Sequence, residues 1–200
     1  DHHKLKVISA YLIDNMREAG ISNIHLVIRS GKWDIPAYYQ GGSRHRVHIS
    51  YHVTDNLQGP PFSIDAVYPF VKNKNTVIGF PDIILSSGKA IAQIKDHFVK
   101  EKPDVLLGLF PQKNYRKWDM VDIDANHRVN QIVIKSDSGA NLKYAWFTAI
   151  WNQKFSRFLH DHLKEHGDNN YENEPQLGNI FMKAVNKDFI IAGFPLDNIE

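Results

Sequence analysis

One acidic residue, Asp82, follows a short β-prone run in residues 75–87, NTVIGFPDIILSS. Val77 and Ile78 favour a strand, and the Gly-Phe-Pro sequence that follows them ends it. In open α/β sheets, ligands bind just past the carboxyl ends of the strands. An Asp at this position could therefore hold a metal ion at an active site. The alternative is that Asp82 simply caps the turn.

Three other groups of residues could contact a phosphorylated ligand. Lys135 closes the apolar strand 131–134 and could hold a phosphate as a point charge, although an ordinary exposed lysine gives the same pattern. Gln58 and Gly59 precede a predicted helix, where the amide could bind a base edge and the helix N-terminus an anion, or the pair could simply form a turn. The aromatic side chains of Trp146, Phe147 and Trp151 could stack on a sugar or base. Alternatively, they could pack in the core.

Composition excludes several kinds of function. The chain has no cysteine, so disulfides, thiolate metal sites and cysteine nucleophiles are excluded. It has no G-x-S-x-G, G-x-G-x-x-G or P-loop motif, and its 11 histidines form no H-E-x-x-H pattern. With 24 basic and 22 acidic side chains, the charge is too balanced to indicate nucleic acid as the main partner. No apolar run suggests a membrane span or signal peptide, which leads us to predict a cytoplasmic protein.

The first half of the chain alternates helices and strands. Apolar spacing predicts helices at 7–19 and 87–100, and a helix over 63–70 with Ser63 as its N-cap. Apolar β-prone runs predict strands at 24–28, 47–53, 76–79 and 104–110. This alternation is typical of a mainly parallel sheet flanked by helices.

The second half has a different pattern. Residues 120–123, 129–134 and 144–151 predict strands joined by tight turns, which we interpret as antiparallel additions to the sheet. A helical stripe begins at Phe155, and a second helix and a last strand follow it. The sequence shows no repeat and no linker, so we predict one α/β domain over residues 1–200.

Several segments, in chain order, resemble the sugar-nucleotide nucleotidyltransferases. Residues 6–28, KVISAYLIDNMREAGISNIHLVI, resemble the segment that follows the family's signature loop. Residues 62–67, FSIDAV, resemble its GTADAV helix start, and residues 77–84, VIGFPDII, resemble its VLGDNIF strand with a metal-binding Asp. Residues 121–135, VDIDANHRVNQIVIK, resemble its hairpin that ends in Glu-Lys.

The resemblance implies a Rossmann-like α/β fold and an enzyme that uses Mg²⁺. Such an enzyme transfers a nucleotidyl group from a nucleoside triphosphate to a sugar 1-phosphate and releases pyrophosphate. It also implies roles for individual residues: metal binding and catalysis for Asp82, phosphate contact and catalysis for Lys135, base contacts for Gln58 and Gly59, and sugar contacts for Lys135, Trp146 and Thr148. The resemblance leaves open whether the protein forms a homo-oligomer.

The chain departs from the family pattern at its ends and at two internal positions. The family's G-G-x-G-T-R loop and the second metal Asp, in D-I-G-T, are absent from residues 1–200. We expect both to lie just outside this sequence in an intact enzyme. Ile134 replaces the Glu before the lysine, and Phe62 replaces the glycine of GTADAV. The alternative function is a non-catalytic nucleotide- or sugar-binding module on the same fold.

Overall fold

The computed structural model describes residues 6–55, 58–85, 88–166 and 175–196. The helices are α1 (Ile8–Glu18), α2 (Asp34–Tyr39), α3 (Pro60–Asp65), α4 (Tyr68–Val71), α5 (Ala90–Glu101), α6 (Gln153–His166) and α7 (Leu177–Val185). The strands are β1 (Asn23–Ile28), β2 (His48–Val53), β3 (Thr76–Gly79), β4 (Val105–Pro111), β5 (Met120–Ile123), β6 (Val129–Val133), β7 (Tyr144–Trp151) and β8 (Ile191–Pro195). Among these residues, no helix has the length and apolar character needed to cross a bilayer.

The strands form two sheets. The larger sheet has the order β6-β5-β7-β4-β8, and β3 also pairs with β7. Strands β3, β4, β5 and β8 run in one direction, whereas β6 and β7 run in the other. Strands β1 and β2 pair in parallel as a separate two-stranded sheet. The predicted α/β class, a mainly parallel arrangement with antiparallel additions, is confirmed, and β7 brings the antiparallel pairing into the middle of the sheet.

The helices cover both faces of the larger sheet, and each face has its own apolar core. Helices α3, α6 and α7 cover one face, where Phe155 and Phe181 are fully buried against Leu107. Helices α1 and α5 cover the other face, where Ile94 packs with Leu106. Burying each such side chain contributes about 1.5–3 kcal/mol. These two cores hold the sheet rigidly between the helices and so fix the ends of its strands.

The spacing of apolar residues explains helices α1 and α5, both of which were predicted. In α1, Ile13 and Met16 are buried on one face, and in α5 Ile91, Ile94 and Phe98 are buried together. These positions are three or four residues apart, the spacing that places side chains on one face of a helix. The two helices therefore pack against the same sheet face and against each other.

The helix predicted over residues 63–70 is wrong in its start and in its length. Helix α3 begins at Pro60, directly after Gly59, whose φ of 108° suits glycine. Ser63 therefore lies inside the helix and does not cap it. A separate helix, α4, follows, because Pro69 has no N–H to donate to the carbonyl four residues earlier, and its ring clashes with that carbonyl in a continuous helix.

Candidate active site

The candidate site lies where two strands that share one edge of β7 separate. Strand β3 ends at Gly79, opposite Thr148, and β5 begins at Met120, opposite Ala145. Between these two pairs, Trp146 and Phe147 of β7 have no paired residue in β3 or β5. We call this gap the sheet split. In α/β folds, a place where neighbouring strands diverge is a place where a ligand can reach the backbone.

Asp82 follows three residues after the end of β3, the strand that borders one side of the sheet split. The side chain is exposed, in a turn that follows Phe80. Strand β3 is held close to α1, since a methyl group added to Gly79 would lie 2.7 Å from Leu12 Cδ1. Nothing in the structure tests the predicted metal role of Asp82. Within the four described segments, no three His, Asp or Glu side chains come together as a metal site.

Lys135 reaches the sheet split from the opposite side. Val133, at the end of β6, pairs with Met120, which in turn pairs with Ala145 of β7. The chain continues from there past Ile134 to Lys135, level with the gap. Lys135 is exposed, and its φ of 38° is a left-handed backbone conformation that few non-glycine residues adopt. Lys135 therefore follows β6 at the gap, and Asp82 follows three residues after the end of β3, the strand on the other side of the gap.

Trp146 and Thr148, predicted together as sugar contacts, lie on opposite faces of the sheet. The register between β4 and β7 shifts after Gly108, which pairs with Thr148, so that Leu109 pairs with Trp146 and Phe147 is the extra residue. Trp146 consequently packs edge-to-face on Phe80 and on Phe181, on the α7 side. The Trp146 ring thus lies on the face that also carries Ile132 of β6.

Thr148 faces the α1 and α5 side. Its hydroxyl donates to the carbonyl of Ile78 at 2.5 Å, and the residue is 2% exposed. It lines a small apolar cavity with Leu12 and Ile91. This hydroxyl helps to hold β3 on β7, and it does not share a ligand surface with Trp146.

Gln58 and Gly59 lie at the start of α3, on the α6 and α7 side of the sheet. Helix α3 packs on α6, and its Phe62 belongs to the same core as Trp146. The side-chain oxygen of Gln58 is buried. The predicted base contact of these two residues stays a prediction.

A residue that the sequence pattern did not single out, Asp119, lies in the sheet split. Its carbonyl accepts a hydrogen bond from the Trp146 backbone N–H at 3.4 Å. A methyl group placed on Gly178, in the first turn of α7, would lie 3.6 Å from Asp119 Oδ2. Burial raises the pKa of the Asp119 carboxyl, and the nearby Lys135 ammonium and Trp146 indole N–H partly oppose this rise. No sequence motif marks Asp119, because a single Asp before a strand is common.

The charges around the split suit a phosphorylated ligand. Lys135 offers an exposed cation at a strand end, and Asp82 offers an exposed carboxylate. Mg²⁺ is usually bound by one or two carboxylates together with substrate phosphates and water. Asp82 fits that donor set as a single protein ligand. The arrangement is therefore compatible with phosphate chemistry that uses Mg²⁺.

No protein-family model matches the chain, and no curated protein matches it in sequence. Solved structures do match it in fold. A Bacillus anthracis protein named as a glucose-1-phosphate thymidylyltransferase, crystallised with sucrose, aligns with a TM-score of 0.84 at 16% identity, over 99% of this chain and 78% of that one.

Two further solved structures agree with this match. The inositol-1-phosphate CTP transferase from T. maritima aligns with a TM-score of 0.78 at 16% identity, over 96% of this chain and 74% of that one. A UDP-glucose pyrophosphorylase in complex with UDP-glucose aligns with a TM-score of 0.75 at 14% identity, over 94% of this chain and 78% of that one. The likeness to sugar-nucleotide nucleotidyltransferases that the sequence indicated is thus confirmed at the level of the fold.

Proposed function

We propose that this protein transfers a nucleoside monophosphate from a nucleoside triphosphate to a sugar 1-phosphate. The observation that carries the proposal is the fold match over 99% of the chain, together with the ends of β3 and β6, which precede Asp82 and Lys135, at one gap in the sheet. Solved structures with this fold are named for transferring nucleotides to glucose 1-phosphate or inositol 1-phosphate. Fold alone does not fix function, so the chemistry has to come from the site.

The reaction needs few protein groups. A phosphate oxygen of the acceptor forms a bond to the α-phosphorus, the bond from that phosphorus to the β-phosphate oxygen breaks, and pyrophosphate leaves with the electron pair. Lys135 binds the acceptor phosphate and offsets its charge. Asp82 holds Mg²⁺, which supplies Lewis-acid stabilisation of the charge on the phosphates. Gln58 and Gly59 contact the base, and Trp146 contacts the sugar.

A panel assay tests this proposal. Pyrophosphate release is measured for four nucleoside triphosphates, each with a series of sugar 1-phosphates and with inositol 1-phosphate, in the presence of Mg²⁺. We expect release with one preferred pair and its loss when the metal is chelated. Reactions that lack the acceptor are the matched control for simple hydrolysis. No release from any pair would contradict the enzyme proposal.

A non-catalytic nucleotide- or sugar-binding module on the same fold is the second candidate. It is favoured by two departures from the family pattern, Ile134 in place of the Glu before the lysine and Phe62 in place of the glycine of GTADAV. Calorimetric binding of a triphosphate or sugar phosphate without any pyrophosphate release would support this module. A cytoplasmic location and a homo-oligomer remain predictions.

A further inference from the structure

Two histidines on neighbouring strands of the two-stranded sheet are bonded to each other. His25 of β1 pairs with Ser50, and Val27 pairs with His52 of β2, so the two imidazoles are diagonal neighbours on one face of the sheet. His25 Nδ1 lies 2.9 Å from His52 Nε2. The ring centroids are 5.1 Å apart, close to this nitrogen–nitrogen distance plus the two ring radii. The nitrogens therefore point at each other, as donor and acceptor of one hydrogen bond.

This hydrogen bond limits the charge that the two histidines can carry together. The accepting nitrogen must be unprotonated, because both ring nitrogens of an imidazolium are donors. The bonded pair can therefore carry at most one positive charge, whereas two separated rings can carry two. Burial lowers the pKa of His25, and burial together with the charge of His25 lowers the pKa of His52. Both effects mean that acidification favours separated rings.

Few other charges act on the two imidazoles. Among the described residues of β1 and β2, the same face carries one further titratable side chain, the exposed His48. Helix α4, which packs on the pair, contains Tyr68, but the ring of Tyr68 stacks on His160 of α6. The charged residues nearest after these three elements are all exposed: Arg29, Asp55 and Lys72. No carboxylate in the described part of the chain raises the pKa of either imidazole.

Phe70 of α4 extends the pair into a contact between two parts of the chain. Its ring centroid lies 6.0 Å from that of His25 and 4.8 Å from that of His52. This cluster of three rings, which we call the histidine clamp, joins the end of β2 to α4 across the intervening segment, which contains Gln58 and Gly59. Phe70 is 60% exposed, so its release from the histidines gives up little apolar burial.

We propose that the histidine clamp is a pH-sensitive switch, closed at neutral pH and opened when both imidazoles are protonated. In the open form the two cationic rings repel each other and release Phe70. The segment that contains Gln58 and Gly59 then loses the contact that closes it. The switch itself is independent of the proposed function. Only its expected effect, weaker binding of the triphosphate at low pH, rests on that function.

Hydrogen exchange at two pH values tests the switch. Protection factors of the amides in β1, β2 and α4 are measured by mass spectrometry at pH 7.5 and pH 5.5, each corrected for the intrinsic exchange rate. We expect protection to fall about tenfold for each proton that only the open form binds, because an ordinary histidine has a pKa of about 6.5. Unchanged protection at pH 5.5 would overturn the inference.

The double variant His25→Asn with His52→Gln removes the titration and keeps the hydrogen bond. The asparagine amide takes the place of Nδ1 and the glutamine amide that of Nε2, and these amides donate and accept without titrating. Protection in this variant should differ by no more than about twofold between the two pH values. His48→Gln is the matched control, since His48 lies on the same face outside the clamp, and it should keep the wild-type pH dependence. Equal pH dependence in wild type and double variant would overturn the switch.

Two further measurements use the wild-type protein. In an NMR titration, the imidazoles of His25 and His52 should take up protons below their ordinary pKa of 6.5, over the range in which protection is lost. Proton uptake by both rings without any loss of protection would overturn the switch. Binding of Zn²⁺ at pH 7.5 that the double variant loses would also overturn it, because the pair would then be a metal site.

The effect on the nucleotide is measured separately, by calorimetry with a non-hydrolysable triphosphate. Binding should be weaker at pH 5.5 than at pH 7.5 in the wild-type protein, and this difference should be lost in the double variant. Absence of triphosphate binding at both pH values would contradict the proposed function, whereas the exchange data would still decide whether the clamp opens.

Discussion

Lys135 combines a strained backbone with a predicted role in phosphate binding. Its φ of 38° lies in the left-handed region, where an L-residue costs about 1–2 kcal/mol relative to ordinary conformations. Strain of this kind persists where the surrounding structure enforces it, and it is often found at functional sites. Lys135 adopts this conformation directly after β6, beside the sheet split, where we propose that its ammonium binds the acceptor phosphate.

Lys135→Gly separates the strain from the function. Glycine adopts the left-handed region freely, so the free energy of unfolding should stay the same or rise by up to about 1 kcal/mol. The KM for the acceptor phosphate should rise about tenfold or more, because the positive charge is lost. Urea denaturation and steady-state kinetics check the two effects.

Lys102→Gly is the matched control for that experiment. Lys102 has a φ of 52° at the end of α5, so glycine should relieve a similar strain there. Its acceptor KM should equal that of the wild-type protein. An equal rise in the acceptor KM in both variants would contradict the prediction that Lys135 binds the phosphate.

Asp82→Asn tests the predicted metal ligand. An exposed side chain in a turn contributes little to folding, so the melting temperature should change by no more than about 1 °C. Pyrophosphate release should fall about a hundredfold or more, because an amide is a poorer Mg²⁺ ligand than a carboxylate. Asp124→Asn, in the turn between β5 and β6, changes the same group outside the site and should stay active. Full activity of the Asp82→Asn variant would contradict the prediction that Asp82 binds the metal.

At the scale of the elements, Asp104 joins the start of β4 to three neighbouring segments. Its carboxylate accepts hydrogen bonds from Asn152 after β7, from Lys154 in α6 and from the Ile190 backbone N–H before β8, each at 2.9 Å. Burial alone would raise the pKa of Asp104, but these donors outweigh burial and lower it. The carboxylate thus fixes the end of the sheet opposite the candidate site.

The lowered pKa predicts how stability depends on pH. Because the folded-state pKa lies below the unfolded value, Asp104 stabilises the fold at neutral pH, and this contribution is lost as the pH falls below about 4. Asp104→Asn should lower the free energy of unfolding by about 1–3 kcal/mol at pH 7. The difference between variant and wild type should shrink between pH 5 and pH 3 in urea titrations. A difference independent of pH would show that the charge of Asp104 does not matter.

The elements differ in how far the sequence could predict them. Helices α1 and α5 follow from apolar spacing, and the strands around β3 and β4 from apolar runs between turn signals. The start of α3 was misplaced because Ser63 is a good N-cap type, whereas the glycine and prolines before it decide the helix start. Trp146 and Thr148 lie on opposite faces because a register shift after Gly108 breaks the alternation of faces, and only the paired strands show that shift.

The candidate site was predictable only in part for the same reason. Asp82 and Lys135 end strands, and that property can be read from a run of apolar residues. The surroundings of the Asp119 carboxyl are formed by residues of other elements, by Trp146 on β7 and by the first turn of α7. Such neighbours are distant in sequence, so only the folded arrangement reveals them.

At the scale of the whole molecule, the two sheets differ in how firmly they are held. Strands β4 and β7 lie inside the larger sheet and are covered by helices on both faces, and Leu106 and Ala149 have no exposed area. Strands β1 and β2 pair only with each other among the described residues, and most of their side chains are half-buried or exposed. Ile24 and Ile49 of the two-stranded sheet belong to the same apolar core as residues of α1 and α5.

This difference predicts two levels of protection in native-state hydrogen exchange. Amides of β4 and β7 should exchange only through global unfolding, whereas amides of β1 and β2 should exchange through a local opening that is at least about 2 kcal/mol less costly. The isolated pair has fewer strand neighbours to lose when it opens. Exchange measured by mass spectrometry across low urea concentrations distinguishes the two, since a local opening shows little dependence on urea. Equal protection and equal urea dependence in both sheets would mean that they unfold as one cooperative unit.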